Sequence, residues 1–137
     1  MTIPEKKIRI LVAKPGIDIH DRAALVLSQA FRDAGMEAIY TGLYQSPEMI
    51  VSAAIQEDVD GIAVSLLDGQ PLYIFAEIMK ELKKREGESI FVVGGGCIED
   101  RFKPQLERMG ISGLYGPGTP LKVIVDHVID MAKGTSR

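Results

Sequence analysis

A single cysteine, Cys97, stands in a chain of 137 residues. It cannot close an internal disulfide, and it excludes a metal site built from several thiolates. No apolar run approaches the ~20 residues that a membrane-crossing helix needs. Residues 1–7 lack the apolar core of a secretion signal. Charge of neither sign dominates: 16 Lys and Arg against 19 Asp and Glu leave a net charge of −3. Bulk attraction to nucleic acid or to an anionic membrane surface is thereby removed. Together these absences point to a cytoplasmic protein. There is also no repeat, linker or low-complexity tract. What remains is ordinary for a globular chain, with 46% hydrophobic and 26% charged residues, enough for one domain with a full core. That domain is read as 1–137, with loose ends at 1–6 and 134–137.

Strand-like and helix-like runs alternate five times. The strands are read at 8–13, 38–41, 61–64, 90–93 and 113–115, the third ending at Ser65. The first helix starts near Asp21 with apolar residues at 23, 26, 27, 30, 31 and 34, and Gly35 closes it. Ser46 and Pro47 open the second as N-cap and first helical residue, with Ile50, Val51, Ala54 and Ile55 as its buried stripe. Leu72, Phe75, Ala76, Met79 and Leu82 mark the third, whose C-terminal end carries Lys83, Lys84 and Arg85. Glu99 and Asp100 begin a fourth. Thr119 and Pro120 cap a fifth, with apolar residues at 121, 124, 125, 128 and 129. Five such units predict an α/β, flavodoxin-like (Rossmann-type), doubly wound parallel sheet of order 2-1-3-4-5, whose switch point between strands 1 and 3 is where open α/β sheets bind ligands.

The stretch 14–23 lies at that edge. It joins an apolar strand to a helix through Pro15 and Gly16 and carries Asp18 and His20. A carboxylate two residues before a histidine can hold one ring nitrogen and leave the other for a metal. Ser65 offers a hydroxyl on the neighbouring strand. Gly94, Gly95 and Gly96 present bare backbone that can pack against a flat ring, cradle a phosphate or turn the chain. Gly116, Pro117, Gly118 and Thr119 form a tight loop before the last helix. His127 falls on the polar side of that helix and is read as solvated. The methionines at 36, 49, 79, 109 and 131 are read as filler. The role of Asp68 stays open between a solvated carboxylate and a ligand contact.

The pattern Asp18-x-His20-x-x-Ala23, then Ser65-x-Leu67, then Gly94-Gly95-Gly96 resembles the signature of the cobalamin-binding domain of base-off/His-on B12 enzymes. The similarity spans nearly the whole chain and is strongest to the separately encoded small subunit of acyl-CoA mutases of the methylmalonyl-CoA type. The resemblance implies that His20 is the lower axial ligand of cobalt, with Asp18 as its hydrogen-bond partner. It further implies that the nucleotide tail of adenosylcobalamin (coenzyme B12) enters the domain beside Asp21, Arg22, Ala23, Ser65, Leu67, Gly69, the glycine triplet, Gly116 and Thr119. Ala23 and Ile19 stand where the family usually carries glycine. Catalysis, an acyl-CoA isomerisation, would then need a separate large subunit that binds the substrate. Two other functions share the fold. A non-catalytic corrinoid carrier or sensor usually has a helical unit ahead of the sheet, and none precedes residue 7. A phospho-receiver needs clustered acids after the first strand and a lysine after the fourth, where this chain has 14–16 (Lys-Pro-Gly) and Gly94. A degenerate relative that has lost tight cofactor binding is the remaining alternative.

Overall fold

The computed structural model describes residues 6–16, 20–67 and 70–135, the last without its side chain. Five strands, β1 (Arg9–Ala13), β2 (Glu37–Tyr40), β3 (Gly61–Leu66), β4 (Phe91–Gly96) and β5 (Ile111–Tyr115), form one sheet of order β2-β1-β3-β4-β5. Every pairing is parallel. The expected flavodoxin-like topology is therefore the observed one. Among the described residues five α-helices flank the sheet: α1 (Arg22–Asp33), α2 (Pro47–Gln56), α3 (Pro71–Lys84), α4 (Lys103–Arg108) and α5 (Leu121–Thr135). Among the described residues no helix is long and apolar enough to cross a membrane.

The sheet separates two cores. Leu11, Ile62, Val64 and Val92 pack with Ile50, Val51 and Ala54 of α2, Phe75, Ile78 and Leu82 of α3, and Leu106 of α4. On the other face Ile10, Val12, Ala63 and Val93 pack with Ala24 and Phe31 of α1 and with Val125, Val128 and Ala132 of α5. All six residues of β3 are buried, as expected of a strand covered on both faces.

Local chemistry explains the element ends. The Ser46 hydroxyl accepts the Met49 N–H at 3.1 Å, capping α2 with Pro47 at its first position. The backbone N–H of Glu37 donates to the Ile8 carbonyl, which starts the β1–β2 pairing. Arg9 ties the amino edge together, donating to Glu37, to the Glu57 carbonyl at 2.9 Å and to the Glu57 carboxylate at 3.1 Å.

Several sequence expectations shift. β3 continues through Ser65 to Leu66, and the glycine triplet is sheet rather than loop, because Gly94, Gly95 and Gly96 pair with Val64, Ser65 and Leu66. α3 buries 74, 75, 78 and 82 instead of 72, 75, 76, 79 and 82. Ile55 of α2 is exposed. Asp100–Phe102 is a 3-10 turn that leads into the short α4. α5 runs through Gly134 to Thr135, two residues into the stretch read as a loose end. α1 differs most: Ala24, Ser28 and Phe31 face the sheet, while Ala23 and Val26 of the expected stripe are exposed. Ser28 is buried without penalty because its hydroxyl donates to the Ala24 carbonyl at 2.8 Å.

Candidate functional site

The apolar residues that α1 does not bury have a purpose. Ala23, Val26 and Leu27 form one wall of a cavity of about 200 Å³ at the carboxyl end of the sheet. Ala63, Ser65, Val93 and the glycine triplet form its floor, and 115–119 with Leu121 and Ile124 of α5 form the far wall. A cavity of about 150 Å³ admits a benzene ring, so this one accepts a somewhat larger flat ring.

Register builds the floor. Ser65 is paired with Gly95, and Gly95 with Tyr115, so these three lie in one row across three adjacent strands. The central member has no side chain, which leaves a slot between a hydroxyl and a phenol ring. The three glycines act differently. A Cβ on Gly94 would stand 2.7 Å from the tip of the Phe75 ring, so this glycine admits α3 on the opposite face. A Cβ on Gly95 would meet only Tyr115. Gly96 has φ +117°, and a Cβ there would stand 2.1 Å from the Leu66 carbonyl oxygen, so only glycine fits.

His20 is exposed and lies two residues before the start of α1. Asp18, its expected partner, lies outside the described residues, as do Asp68 and Gly69. Asp21 occupies the N-cap position of α1, but its side chain makes no capping bond. Its carboxylate instead accepts the Tyr40 hydroxyl at 3.2 Å. Burial, then the Asp21 charge and this bond, push the Tyr40 phenol up to about 12. Burial likewise raises the Tyr115 phenol. Arg22 is exposed at the first turn of α1 and is not part of the cavity wall, and Leu67 is exposed just past β3, also outside the wall. Ala23, Ser65, the glycine triplet, Gly116 and Thr119 all line the cavity, the Thr119 hydroxyl donating to the Gly116 carbonyl at 2.7 Å.

Three contributors escaped the sequence reading. Lys14 is fully buried, and its ammonium donates to the Ser65 carbonyl at 3.2 Å, joining the first loop to β3. The available signal was a lysine placed directly after the apolar run 10–13. Tyr40 holds Asp21, as described above. His127 is a correction: it is half-buried against β5 rather than solvated, with Nε2 3.0 Å from the Ser112 hydroxyl and its ring edge-on to Tyr115. Gly113, the extra residue of a bulge between β4 and β5, makes the room, since a Cβ there would stand 2.9 Å from the imidazole.

Residues 8–124 match the model of the B12 binding domain. The chain is 42% identical over 121 residues to the 2-hydroxyisobutanoyl-CoA mutase small subunit of Aquincola tertiaricarbonis, covering 88% of this chain and 89% of that one. It is 37% identical over 123 residues to the pivalyl-CoA mutase small subunit of Xanthobacter autotrophicus, covering 90% and 82%. Against the methylmalonyl-CoA mutase of Rhizobium meliloti identity is 37% over 131 residues, 96% of this chain but 18% of that protein. Among solved structures, a cobalamin-binding protein from Desulfitobacterium hafniense superposes with a TM-score of 0.78 at 18% identity, over 92% of this chain and 60% of the other. That last likeness is one of fold.

Proposed function

As the chain belongs to the B12-binding domain family and, within it, to the small subunits of B12-dependent acyl-CoA mutases, we propose that His20 is the lower axial ligand of the cobalt and that the cavity beside α1 takes the cofactor's nucleotide tail. One observation carries this reading: the row Ser65–Gly95–Tyr115 forms a ring-sized slot at the same sheet edge as the loop that holds His20. The residues present fit the group. The Ser65 hydroxyl can bond a ring nitrogen, the bare Gly95 backbone can lie against a ring face, and Val26, Leu27 and Ile124 exclude water from it. A neutral imidazole is a good ligand for cobalt, and its orientation is set by what holds the chain around it.

When bound, adenosylcobalamin supplies the cobalt–carbon homolysis that starts a radical rearrangement, chemistry that protein side chains cannot perform. This chain would hold the cofactor and leave its upper face to a separate, large subunit that binds the acyl-CoA. Its span of 18% of a full-length mutase supports that division of labour. The reaction class is carbon-skeleton isomerisation of an acyl-CoA, and the choice of acyl group falls to the partner.

The test is spectroscopic. The purified chain is loaded with hydroxocobalamin, freed of excess by gel filtration and compared with His20→Ala. Retained pigment with a histidine-ligated, base-off spectrum that the variant loses supports the assignment. Identical spectra from both proteins would refute it.

A further inference from the structure

Asp21 is placed oddly for an aspartate that begins a helix. At the N-cap an aspartate ordinarily adopts an extended backbone and accepts an N–H from the first turn. Here φ −98° and ψ 1° turn the residue away from that geometry, and the carboxylate goes to the Tyr40 hydroxyl. α1 thus begins without a side-chain cap, and the chain next to His20 is held by β2 instead.

That bond is one of three. The Lys14 N–H donates to the Thr41 hydroxyl at 3.2 Å, and the Gly16 N–H donates to the Gln45 carbonyl at 2.8 Å, forming an isolated parallel bridge between Pro15 and Gln45. The stretch 40–45 therefore grips both described ends of the His20 loop, Gly16 on one side and Asp21 on the other. A tether at Asp21 restricts where its neighbour His20 can be presented, and such restriction lowers the entropy lost on binding a ligand. Of the three bonds, two involve backbone N–H groups, and only Tyr40 grips the loop with its side chain at the end adjoining His20. Its ring packs against the α1/α5 core, so the hydroxyl is delivered from a fixed base.

Resting on the reading of His20 as the axial ligand, we propose that Tyr40 is a positioning residue for it, acting through Asp21. Tyr40 does not line the cavity. Its hydroxyl sets the junction between the loop and α1, and with it the point from which the imidazole is presented.

The experiment is a double-mutant cycle on the full chain, using Tyr40→Phe, Asp21→Ala and the double variant, with His20→Ala alongside. Each protein is titrated with hydroxocobalamin, and two quantities are read: the apparent Kd and the fraction of histidine-ligated spectrum at saturation. Thermal midpoints are followed without cofactor. Binding feels only the share of this bond that positions His20, and a share of about 1 kcal/mol corresponds to about a fivefold change in Kd. Tyr40→Phe is expected to weaken binding by about that factor and to lower the histidine-ligated fraction. Because Tyr40 acts through Asp21, its effect vanishes in the Asp21→Ala background, where no side-chain acceptor remains. A merely structural role would move the midpoint and leave the saturated spectrum of the variant unchanged, and that result overturns the proposal. If Tyr40→Phe matches the parent while His20→Ala loses ligation, the proposal falls and the ligand assignment stands. If His20→Ala matches the parent, the assignment falls and the proposal falls with it.

Discussion

On the α2/α3/α4 side of the sheet the packed core runs to the carboxyl edge, whereas on the α1/α5 side it stops short and leaves a cavity. The strands are shared, so the difference lies in which residues the two faces receive at their last positions. Facing α3, the missing side chain of Gly94 is replaced by the Phe75 ring, which closes the gap. Facing α1, the missing side chain of Gly95 is replaced by nothing within 4 Å except Tyr115. The helices repeat the contrast. Phe75, Ile78 and Leu82 of α3 are buried, but Val26 of α1 is 46% exposed and Leu121 of α5 is 40% exposed. One glycine makes a core and its neighbour leaves a cavity, because successive strand residues point to opposite faces.

Breaking the closed side has the largest effect. Phe75→Ala removes a fully buried ring and is expected to cost about 3–5 kcal/mol in urea unfolding. Obstructing the open side has little effect on stability and a large one on binding. Ala23→Leu, at an exposed position on the cavity wall, is expected to stay within about 0.5 kcal/mol of the parent in unfolding. The same change lowers hydroxocobalamin affinity by roughly tenfold or more, since overpacking costs about 1–3 kcal/mol. Ser65→Ala sharpens the contrast on the floor. Its carbonyl still receives Lys14, so stability holds, while affinity measured by the same titration falls by about fivefold.

The smallest effect concerns the edge of the open side. The Tyr40 phenol, ordinarily at 10.0, is pushed up to about 12 in the folded chain. The stability that its neutral form contributes is complete below pH 10 and is lost as the pH rises from there through about 12. Thermal midpoints followed across that window should fall less steeply for Tyr40→Phe than for the parent.

Much of this was legible in the sequence. Apolar runs of strand length alternating with helical stripes are local signals, and they suffice for five βα units and hence for the sheet order. The meeting of the His20 loop, Ser65 and the glycines at one edge followed from that order. What was not legible depends on register and on voids. β3 runs two residues and β4 three residues past their apolar runs, and the bulge beside Gly94 sets the register that puts Ser65, Gly95 and Tyr115 in one row, which no single segment encodes. The stripe of α1 was read as core because a cavity wall and a core face have the same composition. His127 was read as solvated because the space it occupies is created by Gly113 on another element. Lys14 was read as a loop residue, although it is buried against Ser65.

The cavity leads us to expect that the cofactor's tail enters on the α1/α5 side and on that side alone. Amide NMR of the isotope-labelled chain during hydroxocobalamin titration tests it directly. The largest shifts are expected at Ala23, Ser65, Gly95, Gly116 and Thr119, with Ile50, Phe75 and Ile78 nearly still. Shifts centred on α2 and α3, with Gly95 and Gly116 unmoved, would contradict it.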